Sequence, residues 1–246
     1  MSRLLILGGT AEAVALARAL SDWHDLDVIT SLAGRTRSPA PPSGSLRIGG
    51  FGGPDGLATF LRNESIDAVI DATHPFAEQI SENSLAAATA TDIHRLQLVR
   101  PPWEKRQGDR WLEVSDAADA AKTLPGLASR VFLTSGHQNL EAFADLDDIW
   151  FLIRTIEPFG GRLPRHFSCL TARGPFDEAG EIALLKEHRI DALVTKASGG
   201  SSTYAKIAAA RRLGLPVVMI RRPEPPPGAL VSDIDAALVW IRQVVA

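Results

Sequence analysis

Gly8-Gly9-Thr10-Ala11-Glu12-Ala13 is the first group of residues able to do chemistry. It follows the apolar run Arg3-Leu4-Leu5-Ile6-Leu7. Glycines after a buried strand let main chain approach a diphosphate, whose charge then sits over a helix N-terminus. Against the pattern G-x-G-x-x-G/A, Gly8 stands first and Ala13 last, with Thr10 in the middle position, where a hydroxyl is able to donate to phosphate. Gly8, Gly9, Thr10, Ala11 and Glu12 are therefore expected cofactor contacts. A plain strand-to-helix turn is the bland alternative.

Dinucleotide folds that take NAD usually carry an Asp or Glu at the end of the second strand to hold the ribose hydroxyls. Here that segment is Thr30-Ser31-Leu32-Ala33-Gly34-Arg35, with no acid between Asp27 and Asp55. A carboxylate would repel a 2′-phosphate, whereas Ser31 with Arg35 or Arg37 would accept one, so NADPH is the expected cofactor. Arg47-Ile48-Gly49-Gly50-Phe51-Gly52-Gly53 is denser in glycine than a connection needs. It is either a mobile loop or main chain passing close to a ligand at Gly50. Asp71-Ala72-Thr73-His74-Pro75-Phe76-Ala77 follows an apolar strand, at the sheet edge where open α/β sheets bind ligands. Thr73 is either a helix cap or a cofactor contact. His74 is the candidate catalytic residue, either orienting substrate or cofactor or transferring a proton.

Two further turns join a strand to a helix later in the chain. They are Leu133-Thr134-Ser135-Gly136-His137 and Val194-Thr195-Lys196-Ala197-Ser198-Gly199-Gly200-Ser201-Ser202-Thr203. Hydroxyls, glycines and a lysine before a helix make an anion site by the same logic. No second Gly-Lys-Ser/Thr follows at phosphate-loop spacing, so an NTPase is not expected. No metal is expected either, because the six histidines are scattered and Cys169 is the sole cysteine. No G-x-S-x-G elbow appears, which argues against a hydrolase of the α/β kind.

Positioning these turns requires repeated βα units. Short apolar runs alternate with Ala-rich amphipathic stretches along the 246 residues, which predicts an α/β fold. Strands are expected at 3–7, 27–30, 68–70 and 96–99, then at 131–134, 150–154, 192–195 and 217–220. Helices are expected at 11–20, 57–62, 76–91, 117–124, 138–144, 178–188, 203–213 and 234–245. Pro101-Pro102 interrupts the pattern. Two Rossmann-like lobes with parallel sheets flanked by helices follow, residues 1–100 and 101–246, with a ligand cleft between them. One cysteine excludes a disulfide scaffold and fits a reducing cytoplasm. A net charge of −3 argues against non-specific nucleic-acid binding. No apolar run approaches the ~20 residues of a membrane span, and Leu4 to Leu7 is too short for a signal peptide. Lys196 to Arg222 nevertheless carries six bases and no acid. Such a run is either a solvated face or a wall for a polyanionic ligand.

These blocks, in this order and nearly end to end, resemble the precorrin-6A reductase family, which also has a cobalt-precorrin-6A form. The resemblance rests on residues 6–13, 31–35, 47–53 and 71–77, and continues through 100–103, 134–137, 195–200, 213–217 and 221–223. It implies a cytoplasmic, NADPH-dependent oxidoreductase of cobalamin biosynthesis. The implied reaction reduces the C18=C19 bond of the tetrapyrrole precorrin-6A to precorrin-6B, with hydride to C19 and a proton to C18. Acetate and propionate arms make that substrate polyanionic. Arg100, Arg154, Arg173, Lys196, Lys206 and Arg222 then become candidates for its carboxylates, with Ser198, Gly199 and Thr203 beside them. No nucleic-acid or membrane partner is implied, and the protein is expected to be a monomer or small homo-oligomer. A reductase of a smaller imine or enoate, and a non-catalytic dinucleotide-sensing regulator, are the alternatives.

Overall fold

Strands inside a parallel sheet are covered on both faces, so they need near-continuous apolar sequence. Leu4-Leu5-Ile6-Leu7 meets that need, and all four side chains are buried. The computed structural model describes residues 1–34, 43–157 and 160–245. In chain order its elements begin β1 (Ser2–Leu7), α1 (Ala11–Ala19), β2 (Leu26–Leu32), β3 (Ser45–Ile48), α2 (Pro54–Asn63), β4 (Ala68–Asp71), α3 (Glu78–Thr91) and β5 (His94–Leu98). There follow β6 (Arg110–Val114), α4 (Ala117–Thr123), β7 (Arg130–Leu133), a 3-10 helix (His137–Phe143), β8 (Trp150–Thr155) and β9 (His166–Thr171). The chain continues through α5 (Glu178–Glu187), β10 (Ala192–Lys196), α6 (Ala205–Leu213) and β11 (Pro216–Ile220), and ends in β12 (Ala229–Val231) and α7 (Ile234–Val244).

The chain divides into two compact units, Met1–Pro101 with Pro223–Ala246, and Pro102–Arg222. Unit 1 holds a six-stranded sheet in the order β3-β2-β1-β4-β5-β12, parallel throughout. Unit 2 holds a second, β9-β8-β7-β10-β11-β6, also parallel throughout. Unit 1 has the 3-2-1-4-5-6 order of dinucleotide-binding sheets, and unit 2 has the same layout with its own first strand, β6, in the sixth place. The residues that close each sheet correct the expected boundary. A second lobe of 101–246 would keep the C-terminal helix, but β12 pairs with β5 and α7 packs in unit 1. The sixth strand of unit 2, β6, comes from the segment directly after β5.

Period-2 burial fixes the layers. Leu4 and Ile6 pack with Ala13, Leu16, Ala237 and Ile241 on the α1/α7 face. Leu5 and Leu7 pack with Leu57, Leu61 and Ala87 on the α2/α3 face. In unit 2, Phe132, Leu193, Val217 and Met219 meet Leu185 and Ile207 of α5 and α6. Asp116, Asp177 and Asp233 cap their helices by accepting the N–H three residues on, each worth about 1 kcal/mol. No helix among the described residues is long and apolar enough to cross a membrane.

Candidate active site

In unit 1 the chain leaves β1 through α1 toward β2, and leaves β4 through α3 toward β5. β1 and β4 are neighbours, with Leu7 opposite Asp71. Their carboxyl ends therefore open the crevice in which such sheets take ligands. Gly8–Thr10 forms one wall and Ala72–Pro75 the other. Thr10 ties them together: its hydroxyl donates to Ala72 O at 2.7 Å and accepts from Ala13 N at 3.1 Å. This corrects the expectation that the Thr10 hydroxyl donates to phosphate, because its proton is engaged by the facing wall.

Gly9 is the open floor of the crevice. Its φ is +111°, and a Cβ there would meet nothing within 4 Å. Gly8, whose N–H donates to Ser31 O at 2.9 Å, is instead hemmed in by Thr30 and Leu32. Ala11 and Glu12 open α1, and N–H groups in a first helical turn lack intrahelical acceptors. Glu12 itself turns to Arg100, 3.0 Å away. Arg100, an expected substrate contact, thus sits in unit 1 beside a carboxylate.

Beneath the second wall lies an ion pair that the sequence reading missed. Asp71, with its side chain 2% exposed, meets Arg95 Nη2 at 3.0 Å. It also accepts from Thr73 N and, at 2.7 Å, from Thr73 Oγ1. Arg95 reaches on to Ser84 Oγ and Ser81 O. Burial pushes the Arg95 pKa down, and Asp71 opposes it. The expected strand at 96–99 begins one residue after Arg95, so no pattern in the sequence placed this base within β5. Thr73 is thereby held from below. Next to it, His74 Nδ1 accepts from Phe76 N at 3.2 Å, which assigns the proton of the neutral ring to Nε2.

At the end of β2, Ser31 is buried and its Oγ accepts from Arg47 Nη1 at 3.2 Å. Arg47 lies opposite it on β3. Arg47 also donates to Gly49 O and Gly50 O, at 2.6 and 2.8 Å, and lies 3.8 Å from the Phe51 ring centroid. The Gly50 segment is therefore pinned rather than loose at its carbonyl. Gly34 has φ +73°. Arg35 and Arg37 lie outside the described residues.

Unit 2 repeats the geometry at the carboxyl ends of β7 and β10. Ser135, after β7, has a buried Oγ without a hydrogen-bond partner among the described residues. After β10, Gly199 and Gly200 take positive φ. Trp103 Nε1 donates to Gly200 O at 2.6 Å, and Arg222 Nη2 to Ser198 O at 3.1 Å. Lys196, Ser198, Gly199, Thr203 and Arg222 are thus gathered at one sheet edge. Arg173 is exposed after β9.

Arg154 and Lys206 are corrections. Arg154 is buried and forks onto Glu181, with Nη2 to Oε2 at 3.1 Å, while its guanidinium lies 3.8 Å from the Phe176 ring centroid. Buried with its charge matched by Glu181, Arg154 serves the fold rather than a substrate carboxylate. Lys206 is 5% exposed, 5.7 Å from the Trp103 ring centroid. Burial, and after it the Arg154 charge, push its pKa down to about 7, against the pull of Glu181. In the unfolded chain the amine keeps its proton up to its ordinary value of 10.5. Between those values the unfolded state binds more protons, so stability rises with pH from about 7 upward. Urea unfolding at pH 6.5 and 9 is expected to show that rise. Lys206→Met is expected to flatten it and to be the more stable protein at pH 6.5; an unchanged rise would refute the titration.

The profile of the family described as Precorrin-6x reductase CbiJ/CobK matches residues 3–242. The precorrin-6A reductase of Rhodococcus erythropolis is 54% identical over 242 residues, covering 98% of each chain. That of Mycobacterium tuberculosis is 48% identical over 243 residues, again covering 98% of each. A solved structure titled CobK precorrin-6A reductase superposes with a TM-score of 0.93 at 41% identity, covering 100% of this chain and 98% of that one.

Proposed function

The chain belongs to the precorrin-6x reductase family, oxidoreductases of cobalamin biosynthesis, and from that premise we propose that it reduces the C18=C19 bond of precorrin-6A with NADPH. The observation that carries the cofactor assignment is the Thr10–Ala72 hydrogen bond, which ties the two walls of the crevice together beside the open face of Gly9. The donor set suits a dinucleotide: main-chain N–H groups for the diphosphate, and a serine rather than a carboxylate at the end of β2.

NADPH, when bound, supplies the hydride that C19 receives as the double bond becomes single and the cofactor leaves as NADP+. The N–H groups of Gly9, Ala11 and Glu12 hold the diphosphate. Ser31, Gly34 and Gly50 flank the adenosine ribose, with Arg35 as a candidate for the 2′-phosphate. Thr73, kept in place by Asp71, borders the nicotinamide with His74. His74, neutral with Nδ1 accepting from Phe76 N, is the candidate for orienting the reacting edge through its Nε2–H, with water as the source of the C18 proton; full turnover by His74→Ala removes it from that role. Lys196, Ser198, Gly199, Thr203, Arg173 and Arg222 are the candidates for the acetate and propionate arms. Holding the reactants in register contributes up to about 7–11 kcal/mol in well-oriented systems.

Absorbance of the reduced nicotinamide tests this. Its loss on adding precorrin-6A, and not without it, is the expected result. NADPH left unconsumed, or NADH consumed with the higher kcat/KM, contradicts the proposal.

A further inference from the structure

Among the described residues, Arg47 is a cation without a carboxylate. The other half-buried arginines described in unit 1 each have one: Arg3 has Asp27, Arg95 has Asp71 and Arg100 has Glu12. Among the described residues no acid pairs with Arg47. Its guanidinium is instead boxed between Ser31 Oγ, two main-chain carbonyls and the rings of Phe51 and Phe60, at 3.8 and 5.2 Å. Partial burial lowers its pKa from the ordinary value, the mark of a charge drawn out of water with no anion to compensate it.

A guanidinium carries five N–H donors. The described hydrogen bonds use Nη1 twice, toward Ser31 and Gly49, and Nη2 once, toward Gly50. Nε–H and one Nη2–H are left, the number that forks onto a phosphate. Ser31 accepts from Arg47, so its own hydroxyl proton is able to point toward the same anion. The pair sits at the end of β2, where dinucleotide sheets meet the ribose 2′ position. In this chain the cation arrives from the neighbouring strand, because Ser31 and Arg47 are register partners.

We propose that Arg47, locked onto Ser31 and the Gly49–Gly50 carbonyls, is the residue that selects a 2′-phosphorylated dinucleotide over an unphosphorylated one. This rests on the NADPH reading above and adds to it a preformed cation site on β3. The competing role is that of a strut, in which Arg47 merely shapes the Gly49–Gly50 turn.

The two roles separate on a ratio. Wild type, Arg47→Ala and Arg47→Lys are compared by kcat/KM with NADPH and with NADH, and by calorimetry with 2′,5′-ADP and 5′-AMP. Loss of a charged, forked contact is expected to cut the NADPH/NADH ratio about 10- to 100-fold in Arg47→Ala, with a parallel fall in the 2′,5′-ADP/5′-AMP preference. Arg47→Lys keeps the charge without the fork and is expected to lie between. It also preserves a testable protein should the alanine variant unfold. Equal weakening of both members of each pair, with ratios at the wild-type value, overturns the assignment and makes Arg47 a strut. A wild-type protein indifferent to the 2′-phosphate overturns the NADPH reading itself, and this assignment with it.

Discussion

Gly9→Val is expected to weaken NADP+ binding by at least about 100-fold, the equivalent of losing two charge-assisted hydrogen bonds to the diphosphate. Two effects act together. At φ +111° a β-branched residue is strained, at a cost on the order of 1–3 kcal/mol. The new side chain also enters the space over the turn, where nothing lies within 4 Å of a Cβ. The strain falls on stability and the obstruction on binding, so they are separable by urea unfolding and by titration with NADP+. A variant that binds NADP+ as wild type does would place the diphosphate elsewhere.

Glu181→Ala is expected to destabilise unit 2 by about 3–5 kcal/mol, because it leaves a buried guanidinium without its counter-ion. Arg154 and Glu181 have side chains only 5% and 3% exposed, and Lys206 adds a second cation beside them. Replacing both partners by apolar residues of similar volume, as in Arg154→Met with Glu181→Leu, is expected to recover about half of the loss or more. Chemical unfolding of the single and double variants decides the matter. A single variant within about 1 kcal/mol of wild type would mean the pair is solvated.

The four strands absent from the sequence reading are β3, β6, β9 and β12, and each is the edge of its sheet. The eight interior strands were all legible, because coverage on both faces demands an apolar run. An edge strand escapes that demand. Ser45-Leu46-Arg47-Ile48 is mostly exposed, and His166 to Thr171 almost wholly so. The same blindness misplaced the C-terminus, since only β12 pairing with β5 carries residues 223–246 back to unit 1.

For the site, the glycine turns were legible because backbone chemistry announces itself in residue type. Side-chain partners were not. A basic run does not say which bases are exposed, so Arg154 on its buried glutamate and exposed Arg173 read alike. Thr10 reads as a phosphate donor until Ala72, distant in sequence, is seen to take its proton. Asp71 and Arg95 meet diagonally across the β4–β5 ladder, where Arg95 lies opposite Val69 and Asp71 opposite Gln97, and a register is invisible before strands are assembled.

Crystals grown with NADP+ test the central claim most directly. The predicted density places the diphosphate on the N–H groups of Gly9, Ala11 and Glu12, the 2′-phosphate at Ser31, and the nicotinamide beside Thr73 and His74. A diphosphate lying on the Ser198–Gly200 turn of unit 2, with the Gly8–Thr10 turn bare, would contradict it.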